Sequence, residues 1–267
     1  MQIENVLPMY DIYQSFYQKV EFSKAFSRYC KKVFGMDLSQ DGFTSLKQLK
    51  LLISKLNITS SDLCLDIGCG NGKIAEYISD QTQAKIIGID YSQIAIQYGL
   101  ERTRSKRHRL DYLKAEIDSF KIEKNKFSVI YLIDTIYFSK DYLKTITNIL
   151  NNLKPNGRLA IFYSDMVFEK EKQIKKIEFN ETAIAQVFKQ INQEYSYIDL
   201  TIQHYEHMKL KNKIGKSMYK DFLKEENIQL QEKIVTESIG EEVLFNDFSK
   251  FSNRYLYIVE KNSYNVI

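Results

Sequence analysis

The stretch Leu63–Ile78 carries the residues with the clearest potential for chemistry. An apolar run leads into a glycine-rich turn, and apolar residues then recur at helical spacing. The turn reads Asp66-Ile67-Gly68-Cys69-Gly70-Asn71-Gly72. Glycines let the main chain turn tightly and let a ligand approach it, because no Cβ stands in the way. The first amides of the following helix would point at that ligand. The pattern predicts a strand, a ligand-binding turn and a helix, with a plain flexible loop as the simpler alternative.

A second acid ends the next apolar run of the chain. Ala84–Asp90 reads as a buried strand, and Asp90 stands at its carboxyl end. In a doubly wound sheet this strand end borders the same crevice as the glycine turn. A carboxylate there can accept two hydrogen bonds from the hydroxyl groups of a ribose. Ser92 follows as the expected N-cap of the next helix.

These two motifs resemble those of class I S-adenosylmethionine (SAM)-dependent methyltransferases. A dinucleotide site would favour Gly-x-Gly-x-x-Gly, and a phosphate-binding loop would continue with Lys-Ser or Lys-Thr. The resemblance covers about 51–164, because Leu153-Lys-Pro-Asn-Gly-Arg-Leu-Ala-Ile also stands in its usual place. It implies an α/β fold with a doubly wound, mostly parallel seven-stranded sheet. It also implies SAM as cofactor and S-adenosylhomocysteine as product.

The resemblance further implies which residues hold SAM. Asp90 would bind the ribose, and Glu116 with the amide of Ile117 would bind the adenine, with Asp118 as an alternative acid one register away. Gln40 would contact the methionine end, unless it is an ordinary loop residue. The residues assigned to the cofactor are Asp66, Gly68, Cys69, Gly70, Gly72, Asp90, Tyr91, Glu116, Ile117, Asp134, Gln40 and Tyr13.

Candidate catalytic residues follow the predicted strand Phe127–Ile133. In the family this strand end faces both cofactor and acceptor. Asp134 could act as a base or orient an amine, and a structural role or a contact to the SAM amino group is the alternative. Tyr137, with Tyr13 and Tyr17, could surround a cationic amine through cation–π contacts. Tyrosines at helical spacing also suit a hydrophobic core.

Two histidines provide the remaining candidates for catalysis. His204 could act as a general base, and a histidine buried in the core or exposed at the surface is the simpler alternative. His207 lies three positions further on the same predicted helix face. A metal would need a third ligand nearby, which the sequence does not offer, and we therefore predict no metal site.

Segments outside the core motifs predict two covers over the site. Residues 1–35 carry aromatic residues at helical spacing, which indicates an N-terminal helical cap within 1–50. Residues 203–251 separate two predicted strands, show a helical pattern, and are too many for a hairpin, which indicates a helical lid. Residues 51–202 would form the SAM-binding core, and 252–267 the last strand and a tail. Such covers suit a small methyl acceptor.

Five further elements are predicted from local pattern. They are a third strand from Leu110 to Glu116, a turn at Lys154–Gly157, a helix over Thr182–Ile191 capped by Asn180, and final strands at Tyr195–Ile202 and Arg254–Glu260.

The bulk composition fits one α/β domain with additions. The chain has 267 residues, of which 44% are hydrophobic. Its three cysteines lack metal-ligand spacing, and we find neither a signal peptide nor an apolar run long enough to span a membrane. These features predict a reduced, cytoplasmic protein with no membrane part.

Charge and motifs bear on the choice of acceptor. The net charge is +4, and the basic segment Arg102–Arg109 lacks interleaved aromatics, which favours a solvated helix end over a phosphate-binding surface. The Asn/Asp-Pro-Pro-Tyr/Phe motif of base-modifying methyltransferases is absent, which makes nucleic acid an unfavoured partner. We expect transfer to an N or O atom of a small molecule, in a chain compatible with a homodimer. The alternatives are a macromolecular acceptor (tRNA or protein), a non-catalytic SAM-binding module, and a nicotinamide oxidoreductase.

Overall fold

The computed structural model describes residues 6–166 and 177–261, with side chains described at 12–164 and 177–261. Residues 1–5 of the predicted cap and 262–267 of the predicted tail lie outside the described residues. Among the described residues, no helix combines the length and the apolar character needed to cross a membrane.

The centre of the fold is a seven-stranded sheet in the order β3-β2-β1-β4-β5-β7-β6. Neighbouring strands run parallel except around β7, which is antiparallel to both β5 and β6. The strands are β1 (Leu63–Ile67), β2 (Lys85–Asp90), β3 (Leu110–Lys114), β4 (Phe127–Ile133), β5 (Leu153–Met166), β6 (Ser196–Asp199) and β7 (Ser252–Glu260). The predicted doubly wound α/β fold is confirmed.

Eleven α-helices and two short 3-10 helices, Arg104–Lys106 and Ile136–Phe138, are present among the described residues. The α-helices are placed as follows. Three precede the sheet, four accompany its strands, and four lie between β6 and β7. They are α1 (Val6–Val20), α2 (Lys24–Phe34), α3 (Leu46–Lys55), α4 (Lys73–Thr82), α5 (Gln93–Arg102), α6 (Tyr142–Asn152), α7 (Ala183–Gln190), α8 (Thr201–Ser217), α9 (Tyr219–Lys224), α10 (Ile228–Thr236) and α11 (Phe245–Phe251). Below, "cap" means α1 and α2, and "lid" means α8 to α11.

Apolar side chains cover both faces of the sheet. Leu52 of α3 and Ile78 of α4 belong to the cluster on one face. Ile146 of α6 and Phe188 of α7 belong to the cluster on the other. Because helices cover both faces, the central strand β4 is apolar almost throughout, as its sequence predicts.

The cap and the lid share a third hydrophobic cluster. Phe16 and Phe26 of the cap pack in it with Phe222 and Ile234 of the lid. Polar contacts reinforce this packing: Glu225 accepts hydrogen bonds from the Ser23 hydroxyl at 2.6 Å and from the Ala25 amide at 2.8 Å. The two segments therefore form one continuous cover, although they are far apart in sequence.

Four local predictions differ from the structure. Lys154–Gly157, predicted as a turn, lies inside β5 because the Asn156 amide donates to the Lys261 carbonyl and extends the ladder. A register irregularity between Phe127 and Val129 and a positive φ at Asn156 accommodate these turn-forming residues.

The other three differences concern element ends. The strand predicted at Tyr195–Ile202 ends as β6 at Asp199, because α8 begins at Thr201, whose amide donates to the Asp199 carboxylate. Thr182, not Asn180, caps α7, because its hydroxyl accepts a hydrogen bond from the Ala185 amide. The strand β3 ends at Lys114, before Glu116, because its last register pair is formed with Asp90 at the end of β2. The predicted N-cap Ser92 is present at the start of α5.

Candidate functional site

A cavity lies at the carboxyl ends of β1, β2 and β4, where a doubly wound sheet binds its ligands. It contains about 970 Å³ of empty space, including the part open to solvent. Ile67, Ile89 and Ile133 form its floor at the three strand ends. Helix α1 and the connection from α2 to α3 provide the opposite wall. We call it the strand-end cavity.

The glycine turn forms one edge of this cavity. Gly68 and Gly70 both have positive φ angles, 77° and 56°, which side-chain-bearing residues rarely adopt. A Cβ at Gly70 would also overlap the Tyr17 hydroxyl, which approaches from the cap. Glycine is therefore required here both by the backbone conformation and by the close approach of α1.

Asp90 joins the glycine turn to the end of β2. One carboxylate oxygen accepts a hydrogen bond from the Gly70 amide at 2.9 Å, and the other accepts one from the Ser92 amide at 2.8 Å. The side chain lines the cavity. Burial raises the pKa of Asp90 to about 6, although the amides of Ser92, Gly70 and Tyr91 oppose that rise. Near neutral pH the cavity therefore holds a buried carboxylate.

The structure brings most of the residues predicted to hold a cofactor into the cavity wall. Those that line it are Tyr13, Gln40, Gly68, Cys69, Gly70, Asp90, Tyr91, Ile117 and Asp134. Those outside its wall are Asp66, Gly72 and Glu116 and, of the catalytic candidates, Tyr137 and His204.

Asp66 lies inside the sheet, not at its edge. It pairs in register with Gly88 of β2 and Tyr131 of β4, and it is 2% exposed. Its Oδ2 has no hydrogen-bond partner in the described part of the chain. Burial, and then the nearby Asp90, raise its pKa well above the usual range. This geometry favours a position beneath the turn over direct contact with a ligand.

The two residues predicted to bind the adenine also differ in whether they line the cavity. Ile117 and Ala115 line the cavity, whereas Glu116 between them is exposed and outside its wall. The alternative acid, Asp118, accepts hydrogen bonds from the Lys140 amide and the Thr145 hydroxyl. The cavity thus meets this loop through apolar side chains.

Gln40 is buried in the cavity wall with one polar group unused. Its Oε1 accepts a hydrogen bond from the Leu38 amide at 2.9 Å. Its Nε2 has no partner among the described residues, and the side chain is 6% exposed. A buried donor without a partner costs about 1–3 kcal/mol, and a polar ligand group can satisfy it.

Asp134 lines the cavity, but its two oxygens are occupied. They accept hydrogen bonds from the Phe43 amide at 2.8 Å, from the Thr44 hydroxyl at 3.0 Å, and from Arg254, whose Nη2 lies 3.1 Å away. Arg254 is fully buried on β7 and also donates to the Ser164 hydroxyl at 2.9 Å. This network favours a positioning role for Asp134, in which it holds the cavity wall at Gly42–Thr44, over the role of a base.

The other two catalytic candidates lie behind the cavity wall. His204 is 1% exposed and packs against the rings of Phe43 and Phe248, at 4.8 and 5.4 Å between centroids. Burial, and then Arg254, lower its pKa well below the usual range. The Tyr137 hydroxyl accepts a hydrogen bond from the Ser164 amide. Both side chains therefore serve packing in this arrangement.

Sequence reasoning gave no site role to several residues of the wall. They are Leu38, Ser39, Asp41, Gly42, Thr44, Asn71, Thr135 and Phe138, among others. Asp41 and Gly42 directly follow the candidate Gln40, and Thr135 directly follows Asp134. That proximity was the available signal, but which side chains face inward depends on the loop conformation.

A family comparison identifies the kind of protein that carries this cavity. The family model described as "Methyltransferase domain" matches residues 58–228, which include the glycine turn, Asp90 and Asp134. The chain belongs to this methyltransferase family. The resemblance drawn from the glycine turn and Asp90 is thereby confirmed.

Among curated proteins, this methyltransferase-family chain is similar to Phosphoethanolamine N-methyltransferase 1 of Triticum aestivum. The two are 29% identical over 151 residues. The match covers 56% of this chain but only 30% of the wheat protein.

Two solved structures resemble nearly the whole chain. Phosphoethanolamine N-methyltransferase 2 of Haemonchus contortus, in a complex with phosphomonomethylethanolamine and S-adenosylhomocysteine, aligns with a TM-score of 0.72 and 16% identity. The alignment covers 94% of this chain and 60% of that one. The [4+2]-cyclase SpnF aligns with a TM-score of 0.67 and 13% identity, over 94% of this chain and 97% of that one. Both confirm the fold.

Proposed function

We propose that this protein binds SAM in the strand-end cavity and transfers its methyl group to a small molecule enclosed beneath the cap and the lid. The supporting observation is the cavity edge formed by Gly70 and Asp90. There, a backbone free of Cβ atoms meets a buried carboxylate, in a chain of the methyltransferase family.

The residues of the cavity fit the chemistry of SAM. Asp90 offers carboxylate oxygens to ribose hydroxyls, and the apolar Ile117 suits the adenine face. The unpartnered Nε2 of Gln40 suits the methionine carboxylate. When bound, SAM supplies a methyl group on a positively charged sulfur.

The protein's own contribution is enclosure and orientation. Tyr13 and Tyr17 of the cap line one side of the cavity, the lid supports the cap through their shared cluster, and the Asp134–Arg254 network fixes the wall at Gly42–Thr44. A transfer of this kind depends on holding the acceptor atom about 3–3.5 Å from the methyl carbon and in line with it. We propose that the rigid cavity walls hold the acceptor in this position. The candidate bases contribute less, because His204 lies outside the cavity wall and Asp134 is already hydrogen-bonded.

The proposed enclosure favours a small acceptor over tRNA or protein. The wheat relative is named for a small amine, phosphoethanolamine, and other relatives are named for small molecules such as sterols. The buried thiols of Cys30, Cys64 and Cys69 suit a reducing compartment, and we propose the cytoplasm.

Calorimetry with S-adenosylhomocysteine tests the proposal. We expect saturable binding to the wild-type protein and at least about tenfold weaker binding to Asp90→Ala, because hydrogen bonds to a charged group are worth about 1.5–3 kcal/mol. Glu116→Gln is the matched control: it removes the charge of an exposed acid outside the cavity wall and should leave the affinity unchanged.

Three results would count against parts of this proposal. Absence of S-adenosylhomocysteine binding to the wild-type protein would refute the cofactor. A loss of affinity in Glu116→Gln equal to that in Asp90→Ala would restore Glu116 as a cofactor ligand. Binding without S-adenosylhomocysteine formation from SAM, over a pooled set of small amines, alcohols and phenols, would favour a non-catalytic module.

A further inference from the structure

A lysine ammonium from the lid occupies a cage of one carboxylate and two aromatic rings. Lys233 of α10 places its Nζ 2.7 and 2.6 Å from the two carboxylate oxygens of Asp41. The same Nζ lies 5.1 Å from the ring centroid of Phe16 and 5.7 Å from that of Tyr13. A carboxylate combined with aromatic faces is the arrangement that recognises an organic cation. We call these three residues, Asp41, Tyr13 and Phe16, the ammonium cage.

The ammonium cage opens onto the strand-end cavity. Asp41 and Tyr13 both line that cavity, and Phe16 packs edge-on against Tyr13 with 6.2 Å between centroids. Phe16 is 5% exposed, which leaves its ring sheltered from water. A cation held in the cage would therefore lie at the side of the cavity.

Lys233 is placed to leave the cage. Its side chain is 27% exposed and belongs to the lid, not to the sheet. A second carboxylate, Glu237, directly follows α10, with its Oε2 3.9 Å from the Lys233 Nζ. The lysine can thus exchange Asp41 for Glu237 without losing an ionic partner.

The other carboxylates of the described cavity wall cannot serve in the same way. Asp90 accepts hydrogen bonds from two backbone amides, and Asp134 is fixed by Arg254 and the Phe43 amide. Asp41 is held by a side chain that can move. It is therefore the acid whose partner a ligand could replace.

We propose, on the basis of the methyltransferase function above, that the ammonium cage binds the cationic nitrogen of the methyl acceptor and that Lys233 occupies the cage until the acceptor arrives. The acceptor is then an organic cation whose ammonium group lies in the cage and whose methyl-accepting atom is a different N or O atom of the same molecule, because a protonated or quaternary nitrogen has no lone pair with which to attack the methyl carbon. Lys233 competes with the acceptor for the cage. Until the acceptor binds, the lysine ammonium pairs with the Asp41 carboxylate and contacts the two rings.

The test uses choline and its neutral isostere 3,3-dimethylbutan-1-ol as probes, with the S-adenosylhomocysteine-loaded protein. We expect Lys233→Met to bind choline about tenfold more tightly than the wild type, because the competing ammonium is gone. Binding of the neutral alcohol should not improve. Adding Asp41→Asn to Lys233→Met should remove the gain. Lys233→Gln repeats the measurement with a polar side chain, in case the Met variant folds poorly.

Lys19→Met is the matched control for a purely mechanical role of the lid lysine. Lys19 also links α1 to α10, through a hydrogen bond of 3.1 Å to Gln229, but it is exposed and outside the cavity wall. It should leave choline binding unchanged.

Several outcomes would overturn the cage proposal. They are unchanged or weaker choline binding in both Lys233 variants, equal tightening for the neutral alcohol, and equal tightening in Lys19→Met. A loss of S-adenosylhomocysteine affinity in Asp41→Asn without any choline binding would assign the cage to the cofactor's own ammonium group. In each case S-adenosylhomocysteine binding to the wild type still reports separately on the proposed function.

Discussion

Single residues decide which acids can contact a ligand. The sequence placed acids at two strand ends, but the pleat of β1 turns Asp66 into the sheet, whereas Asp90 at the last position of β2 lines the cavity. The ion pair between Asp134 and Arg254 could not be predicted from the sequence, because the two residues lie 120 positions apart and no local pattern links them. Glycine positions were predictable, since their backbone conformation excludes other residues.

The raised pKa of Asp90 predicts how cofactor affinity changes with pH. The carboxylate form accepts hydrogen bonds from a ribose, and it is lost as the pH falls through the pKa of about 6. If only that form binds, the Kd for S-adenosylhomocysteine should rise about tenfold between pH 7 and pH 5. Calorimetry across that range measures the change. Asp90→Asn should abolish the dependence and Glu116→Gln should retain it, whereas a flat wild-type profile would exclude Asp90 as the titrating ligand.

At the scale of elements, helix α8 shows what periodicity can and cannot predict. Its helical character follows from the spacing of apolar residues such as Tyr205 and Met208. Its buried face, however, also carries His204, His207 and Lys211. These polar side chains are buried by contacts with rings from distant segments, such as Phe43, and the helix sequence alone does not contain that information.

This buried polar face predicts a loss of stability in mild acid. Burial, then Lys211 and Arg254, lower the pKa of His207 to about 3, against about 6.5 in an unfolded chain. Between these values the unfolded chain binds the extra proton, and the free energy of unfolding therefore falls as the pH drops. From pH 7 to pH 5, His207 should contribute a loss of about 2 kcal/mol.

Urea unfolding of His207→Gln at both pH values checks this contribution. The variant should lose less stability than the wild type on going from pH 7 to pH 5. His108→Gln, at an exposed position outside the lid, should behave like the wild type. An unchanged pH dependence in His207→Gln would show that His207 takes up its proton equally in the folded and unfolded chains.

At the scale of the whole molecule, the sheet could be predicted from the sequence, but the contact between the cap and the lid could not. Strand order follows from motifs in sequence order, and apolar stripes indicated that both cap and lid needed a covering surface. That they cover each other, through Phe16 and Ile234, depends on where the sheet places the two segments. The ammonium cage and its lysine lie at this contact, since Tyr13 belongs to the cap and Lys233 to the lid.

The distribution of charge predicts that the protein does not bind nucleic acid. Most cations of the basic segment Arg102–Arg109 are paired within the fold, because Glu76 and Asp80 of α4 form ion pairs with Arg102, Lys106 and Arg109 at 2.5–3.2 Å, and Asp111 forms one with Arg107. Few of its charges remain to displace counterions from a phosphate backbone. Fluorescence anisotropy with labelled tRNA at about 0.15 M salt should detect no binding.

A variant without the two paired carboxylates tests whether the ion pairs are the reason that tRNA does not bind. Glu76→Gln combined with Asp80→Asn frees the same cations without adding any, and tRNA binding that weakens steeply with salt should then appear. Salt-dependent binding by the wild type would mean that the ion pairs open for phosphates, and it would move the favoured acceptor from a small amine to a nucleic acid. Failure of both proteins to bind would show that these ion pairs are not what prevents tRNA binding.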